Sequence, residues 1–241
     1  MTTWMTHAPN APALPGPVSA PAVSLQEGWT EGPLDAAATA FAAAAVAAAI
    51  AAAVAAGEPA RRGPVLWVQD RASRRSDGRI HEPGLRRAFR MDVPILHVRV
   101  GHPRDALRAM EEGTCCAALS AVVGEVDGDA PALDLTATKR LALRARESGV
   151  PVWLLRSGKG GGLSAARMRW RLVSRPSEAH PFDPGAPGTA AWTADLVRAA
   201  GRSPGLWDLV HDPGAPDRLR VVPRPGDGSL AAQGGPAALA G

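Results

Sequence analysis

Apolar and polar positions divide this chain into elements before any single residue invites a chemical reading. From Ala36 to Ala56 the sequence is almost wholly apolar and mostly alanine, preceded by Pro33, Leu34 and Asp35 and followed by Gly57. Asp35 is placed to cap or complement the positive end of a helix, and Gly57 to stop it. Val46, Ile50 and Val54 share one face at four-residue spacing, and the alanines elsewhere let such a helix sit close against a sheet. Short apolar runs then predict strands at Val65 to Val68, Ile95 to Val100, Ala117 to Val126 and Val150 to Leu155. Helical patterns lie between them, from Pro103 to Glu112 and from Leu133 to Ser148, the second capped near Asp134 or Thr136 and closed by Gly149. Strands alternating with helices imply a parallel sheet covered on both faces.

After Arg156 the period changes. Met168, Trp170 and Leu172 alternate with Arg167, Arg169 and Arg171, which puts apolar groups on one side of a strand and guanidinium groups on the other. Two further strands, Trp192 to Val197 and Leu206 to His211, flank Gly201-Arg202-Ser203-Pro204-Gly205, a sequence suited to a hairpin loop. The expected architecture is an α/β domain over residues 25–222, with a mostly parallel central sheet and a C-terminal antiparallel hairpin extension. Residues 1–24 and 223–241 are rich in Pro, Ala and Gly and read as a disordered leader and tail.

Composition adds limits. With 241 residues, 46% of them hydrophobic, the chain suits one domain with a full core. The leader has no basic start followed by an apolar run, so it does not resemble a secretion signal. The alanine segment is about as long as a membrane span, but alanine gains little on transfer, and a buried helix is the expected reading. Net charge is +4, and Lys139 and Lys159 are the only lysines, so the basic character belongs to arginine. Codon bias toward Ala, Arg, Gly and Pro accounts for much of it. Between Arg61 and Arg108 twelve arginines face five acids, which could form a basic patch for nucleic acid or an acidic protein, or a solvated surface. Cys115 and Cys116 are adjacent, a poor geometry for a disulfide, and read as buried thiols in a reducing, cytoplasmic setting.

A nucleotide-hydrolysing domain of this architecture needs a glycine-rich loop ending in Gly-Lys-Ser/Thr before its first long helix. The corresponding stretch, Gly28 to Asp35, has Gly28 and Gly32 but no lysine, and Glu31 and Asp35 would repel phosphates. The magnesium-holding aspartate should end a hydrophobic run. In Ala121-Val122-Val123-Gly124-Glu125 its place is taken by Gly124, with Glu125 one residue late. No catalytic set, metal site or cofactor is therefore expected. The loop Ser157 to Ser164 contains Lys159 and three glycines in the wrong order for a phosphate-binding loop, and reads as a mobile basic connection or a plain linker, with a possible helix start at Ser164.

The ordered set Gly63 to Val68, Glu82 to Leu85, Asp105 to Glu112, Ala121 to Val126, Leu133 to Leu141 and Ser164 to Arg171, continued by Gly201 to Trp207, resembles the ImuA family. These are relatives of RecA encoded beside ImuB and an error-prone DnaE-type polymerase. The resemblance implies a RecA-like three-layer scaffold. It also implies a non-catalytic accessory role in translesion synthesis, with RecA, ImuB and that polymerase as partners, DNA as a possible one, and no membrane. It places Asp70 close to the catalytic glutamate of RecA, and the loop after Leu155 at a DNA-touching loop, which makes Arg156, Lys159, Arg167, Arg169 and Arg171 the expected DNA- or partner-binding residues. The alternatives are a RecA-superfamily ATPase with an unconventional site, or a SulA-like inhibitor of cell division.

Overall fold

The computed structural model describes residues 24–57, 62–127, 130–158, 162–180, 182–201, 203–212, 214 and 219–222. Residues 1–23 and 223–241, which fall in the expected leader and tail, lie outside the described residues, as does Lys159. The strands are β1 (Leu25–Thr30), β2 (Val65–Gln69), β3 (Ile95–Arg99), β4 (Ala121–Asp127), β5 (Val152–Ser157), β6 (Met168–Arg175), β7 (Ala191–Ala199), β8 (Gly205–His211) and β9 (Leu219–Val222). They form one sheet in the order β3-β2-β4-β5-β1-β6-β7-β8-β9. All neighbours from β3 to β6 run parallel, and β6 to β9 alternate in direction. The fold is thus mixed α/β with a largely parallel sheet and an antiparallel C-terminal extension, consistent with a RecA-like core.

The helices are α1 (Ala37–Ala55), α2 (Arg71–Ser76), α3 (Glu82–Phe89), α4 (Pro103–Thr114) and α5 (Leu135–Ser148). Helices α1 and α3 share one face of the sheet with Trp67, Trp153, Leu155 and Trp170, while α4 and α5 share the other with Leu66, Val68, Val122 and Leu154. Alternate strand residues therefore serve opposite layers, as a parallel sheet covered on both sides requires. Alanine brings α1 close enough for Phe41 to reach Trp153 and Trp170, at ring separations of 5.9 and 4.9 Å. By length and composition α1 could cross a membrane, yet its first half, Ala37 to Ala47, is largely buried against β1, β5 and β6. Val46 and Ile50 are buried as their spacing suggests, and Val54 is exposed.

Several expectations need correction. Gly28 is not in a loop: it lies at the middle of β1, between β5 and β6, where a Cβ would press on Leu155. Strand β4 begins at Ala121 rather than Ala117, because residues 115–120 turn first, with Leu119 N donating to Cys116 O. No helix starts at Ser164, since residues 163–166 carry no regular structure before β6. Cys115 and Cys116 are exposed, not buried: they follow the last turn of α4, and Arg144 Nη1 donates to Cys115 Sγ at 2.8 Å.

Candidate functional site

In parallel α/β sheets, ligands collect outside the carboxyl ends of the strands. Here that region holds a small crevice lined by Thr30, Asp35, Thr39, Asp77, Glu125 and Ser157 among others, with a cavity of about 20 Å³. Such a space admits roughly one water molecule, and Asp35, Thr39, Asp77 and Glu125 also line an adjoining open pocket of about 300 Å³ with Gln69, Arg79 and His81. Of the loop Glu31 to Ala36, which joins β1 to α1, Asp35 lines the crevice. Asp35 accepts from Ala37 N (2.9 Å), Ser174 Oγ (2.6 Å) and Ser174 N (3.1 Å), so it ties the start of α1 to β6. Gly32 does sit in this loop, where Thr30 Oγ1 donates to its carbonyl at 3.2 Å.

Glu125 is the chemical centre of the crevice. Its carboxylate accepts from Trp67 Nε1 at 2.9 Å, Gln69 Nε2 at 2.6 Å and Thr39 Oγ1 at 3.1 Å. Burial pushes the carboxyl above its ordinary value, and the three donors and the charge of Asp77 act on it in opposite senses, the donors downward and Asp77 upward. The network continues outward. Gln69 Oε1 lies 2.9 Å from His97 Nε2, which with the amide oriented this way must carry the proton.

The other expected site positions separate. Gly124 faces the opposite layer, where a Cβ would meet Met110 Sδ at 2.1 Å; it is a packing glycine under α4 and no part of the crevice. Glu125, read from sequence as one residue late, is the one that reaches the crevice. Asp70 is fully buried and caps α2, Oδ1 accepting from Ser73 N at 2.7 Å.

No protein-family model matches the chain, and no curated protein matches its sequence.

The arginines expected to meet DNA or a partner are brought together, but they are largely engaged within the molecule. Glu27, fully buried in β1, lies 2.5 Å from Arg156 Nη2 and 3.2 Å from Arg169 Nη2. The Arg169 guanidinium also stands 5.2 Å from the centroid of the Trp29 ring. Arg171 pairs with Asp195 at 2.8 Å and with Glu31 at 3.3 Å, and its hydrogen bond to Asp195 raises its pKa further above the ordinary value. Arg167 is exposed beside the β5–β6 connection. The alternation across β6 is real, with Met168, Trp170 and Leu172 buried, but Arg156 and Arg169 do not face water: one carboxylate holds both.

Glu27, Thr39, Trp67 and Gln69 were not singled out from the sequence as site residues. Glu27 stands in a strand too polar to announce itself, and Trp67 and Gln69 belong to a run whose apolar pattern speaks only of burial.

Proposed function

We propose that this chain is a non-catalytic accessory protein of damage-induced mutagenesis, of the ImuA type. It acts in the cytoplasm with RecA, ImuB and an error-prone DnaE-type polymerase during translesion synthesis. The RecA-like architecture and the ordered sequence features support the reading. The observation that carries it is the state of the crevice. Where a hydrolase would cradle phosphates and magnesium, the loop carries no lysine, and Asp35, Asp77 and Glu125 line the space instead. Carboxylates there oppose a polyphosphate, and the donors around Glu125 hold it within the fold.

The test is genetic. Deleting the gene is expected to leave undamaged growth normal and to lower the frequency of ultraviolet-induced mutation. An unchanged mutation frequency, together with loss of filamentation after damage, overturns this reading in favour of a division inhibitor. DNA-stimulated ATP turnover by the purified protein overturns it in favour of an ATPase.

A further inference from the structure

The fold sorts its arginines. Arg108 of α4, Arg140 of α5, Arg156 of β5, Arg171 of β6 and Arg220 of β9 each sit on a carboxylate. At the carboxyl ends of β2 and β3 the pattern differs. Arg71, Arg74 and Arg75 of α2, Arg79 in the loop that follows, and Arg99 at the end of β3 make no ion pair among the described residues.

The backbone brings these five together. Gln69 is in register with Arg99, and α2 starts two residues beyond Gln69. Arg74 donates from Nε to Asp70 O at 3.0 Å and from Nη2 to Val100 O at 3.2 Å, which ties α2 to the end of β3. Gln69 Nε2 donates to Gly78 O at 3.2 Å and draws the loop bearing Arg79 back over the strand. His97 registers the result: burial first, then the charges of Arg99, Arg74 and Arg79, hold its pKa below the ordinary value, against an upward pull from Glu82. The neighbouring acids are engaged elsewhere. Asp77 accepts from Leu34 N (2.8 Å) and Ser76 Oγ (3.2 Å), and Glu82 accepts from Ile95 N and pairs with Arg86.

We infer that this arginine cluster, at the β2–β3 edge of the sheet, is a binding surface for the phosphate backbone of nucleic acid. A guanidinium fork matches phosphate oxygens, and unpaired positive charge on one face is the footprint of such binding. The residues between the arginines, Ala72, Ser76 and Gly78, are small or polar. A protein partner requires apolar or aromatic anchors at the centre of its interface, and of the large exposed apolar side chains among the described residues only Leu34, in the β1–α1 loop, and Leu96, on β3, lie on neighbouring segments, neither of them on α2 or the loop after it. Contact with phosphates carries no base identity, so the surface binds without sequence preference. This placement differs from the β6 face, whose charges are already met by Glu27, Glu31 and Asp195.

The experiment uses the full chain, single- and double-stranded oligonucleotides of mixed sequence, and fluorescence anisotropy across salt concentrations. The variant Arg75→Ala/Arg79→Ala/Arg99→Ala keeps Arg74, which holds the backbone, and should melt with the parent. Binding is expected to weaken for every oligonucleotide, and the log-log salt slope to fall by about 0.7–0.9 per lost contact. Arg171→Ala is expected to leave the slope unchanged. In the parent, nucleic acid should raise the His97 pKa, read by NMR, because phosphates offset the three guanidiniums. No binding by the parent at low salt, an equal slope in the triple variant, or an equal fall in Arg171→Ala overturns the inference. So does tighter binding of polyglutamate than of oligonucleotide. The assignment to mutagenesis is judged separately, by the deletion strain, so either conclusion can fail alone.

Discussion

Glu27 and Glu125 are both buried carboxylates, and their surroundings set opposite consequences for removing their charge. Glu27 has two guanidiniums against it. Glu27→Gln leaves Arg156 and Arg169 buried without a counter-charge and should cost about 3–5 kcal/mol, measured by urea unfolding. Arg171→Ala, at a half-exposed pair, should cost less than about 1 kcal/mol. Glu125 has neutral donors only, and burial raises its pKa. The folded state therefore holds this proton more tightly than the unfolded chain. Its contribution to stability is full below the ordinary carboxylate value and is lost as pH rises through the higher folded value. Urea midpoints across mildly acidic pH should show that decline, and Glu125→Gln should remove it. Glu125→Ala instead strands the donors of Trp67, Gln69 and Thr39, at about 1–3 kcal/mol for each group left unsatisfied. Neither carboxylate's role was legible in the sequence. The partners of Glu27 lie in β5 and β6, those of Glu125 in α1 and β2, and no local pattern records pairings across such separations.

At the level of elements, sequence pattern succeeded where an element has a long period or a clean apolar run. Helices α1, α4 and α5 and strands β2 to β8 fall close to their expected places, apart from the late start of β4. Strand β1 did not show itself: Leu-Gln-Glu-Gly-Trp-Thr reads as polar, because the partner that makes its glutamate tolerable is another strand. Helices α2 and α3 span six and eight residues, too short to establish a helical period. The glycine of β4 marks a close approach of layers. Gly124→Ala would drive a Cβ into Met110 Sδ, and although the thioether can swing aside, overpacking of this kind costs about 1–3 kcal/mol. A thermal melt of this variant should show the loss, and pairing it with Met110→Ala should recover part of it.

For the whole molecule, the architecture was legible and the distribution of charge was not. Counting arginines along the chain could not separate those held by carboxylates from those left open, since that depends on which ends of which strands meet. The crevice, lined by carboxylates and lacking a lysine, leads to a prediction at this scale. The purified protein should neither turn over ATP nor bind magnesium-ATP tightly, with or without DNA, and isothermal calorimetry with a coupled phosphate assay checks both.

The position of β1 bears on how the chain is made. The first of the described strands to leave the ribosome becomes the middle strand of the sheet, and both its parallel neighbours are synthesised late: Leu25 pairs with Val152, and Gln26 with Met168. At about 5–20 residues per second of translation, this strand waits many seconds for either flank. A nascent chain halted before Val152 cannot close its centre, and depends until then on whatever shields a lone strand from other chains.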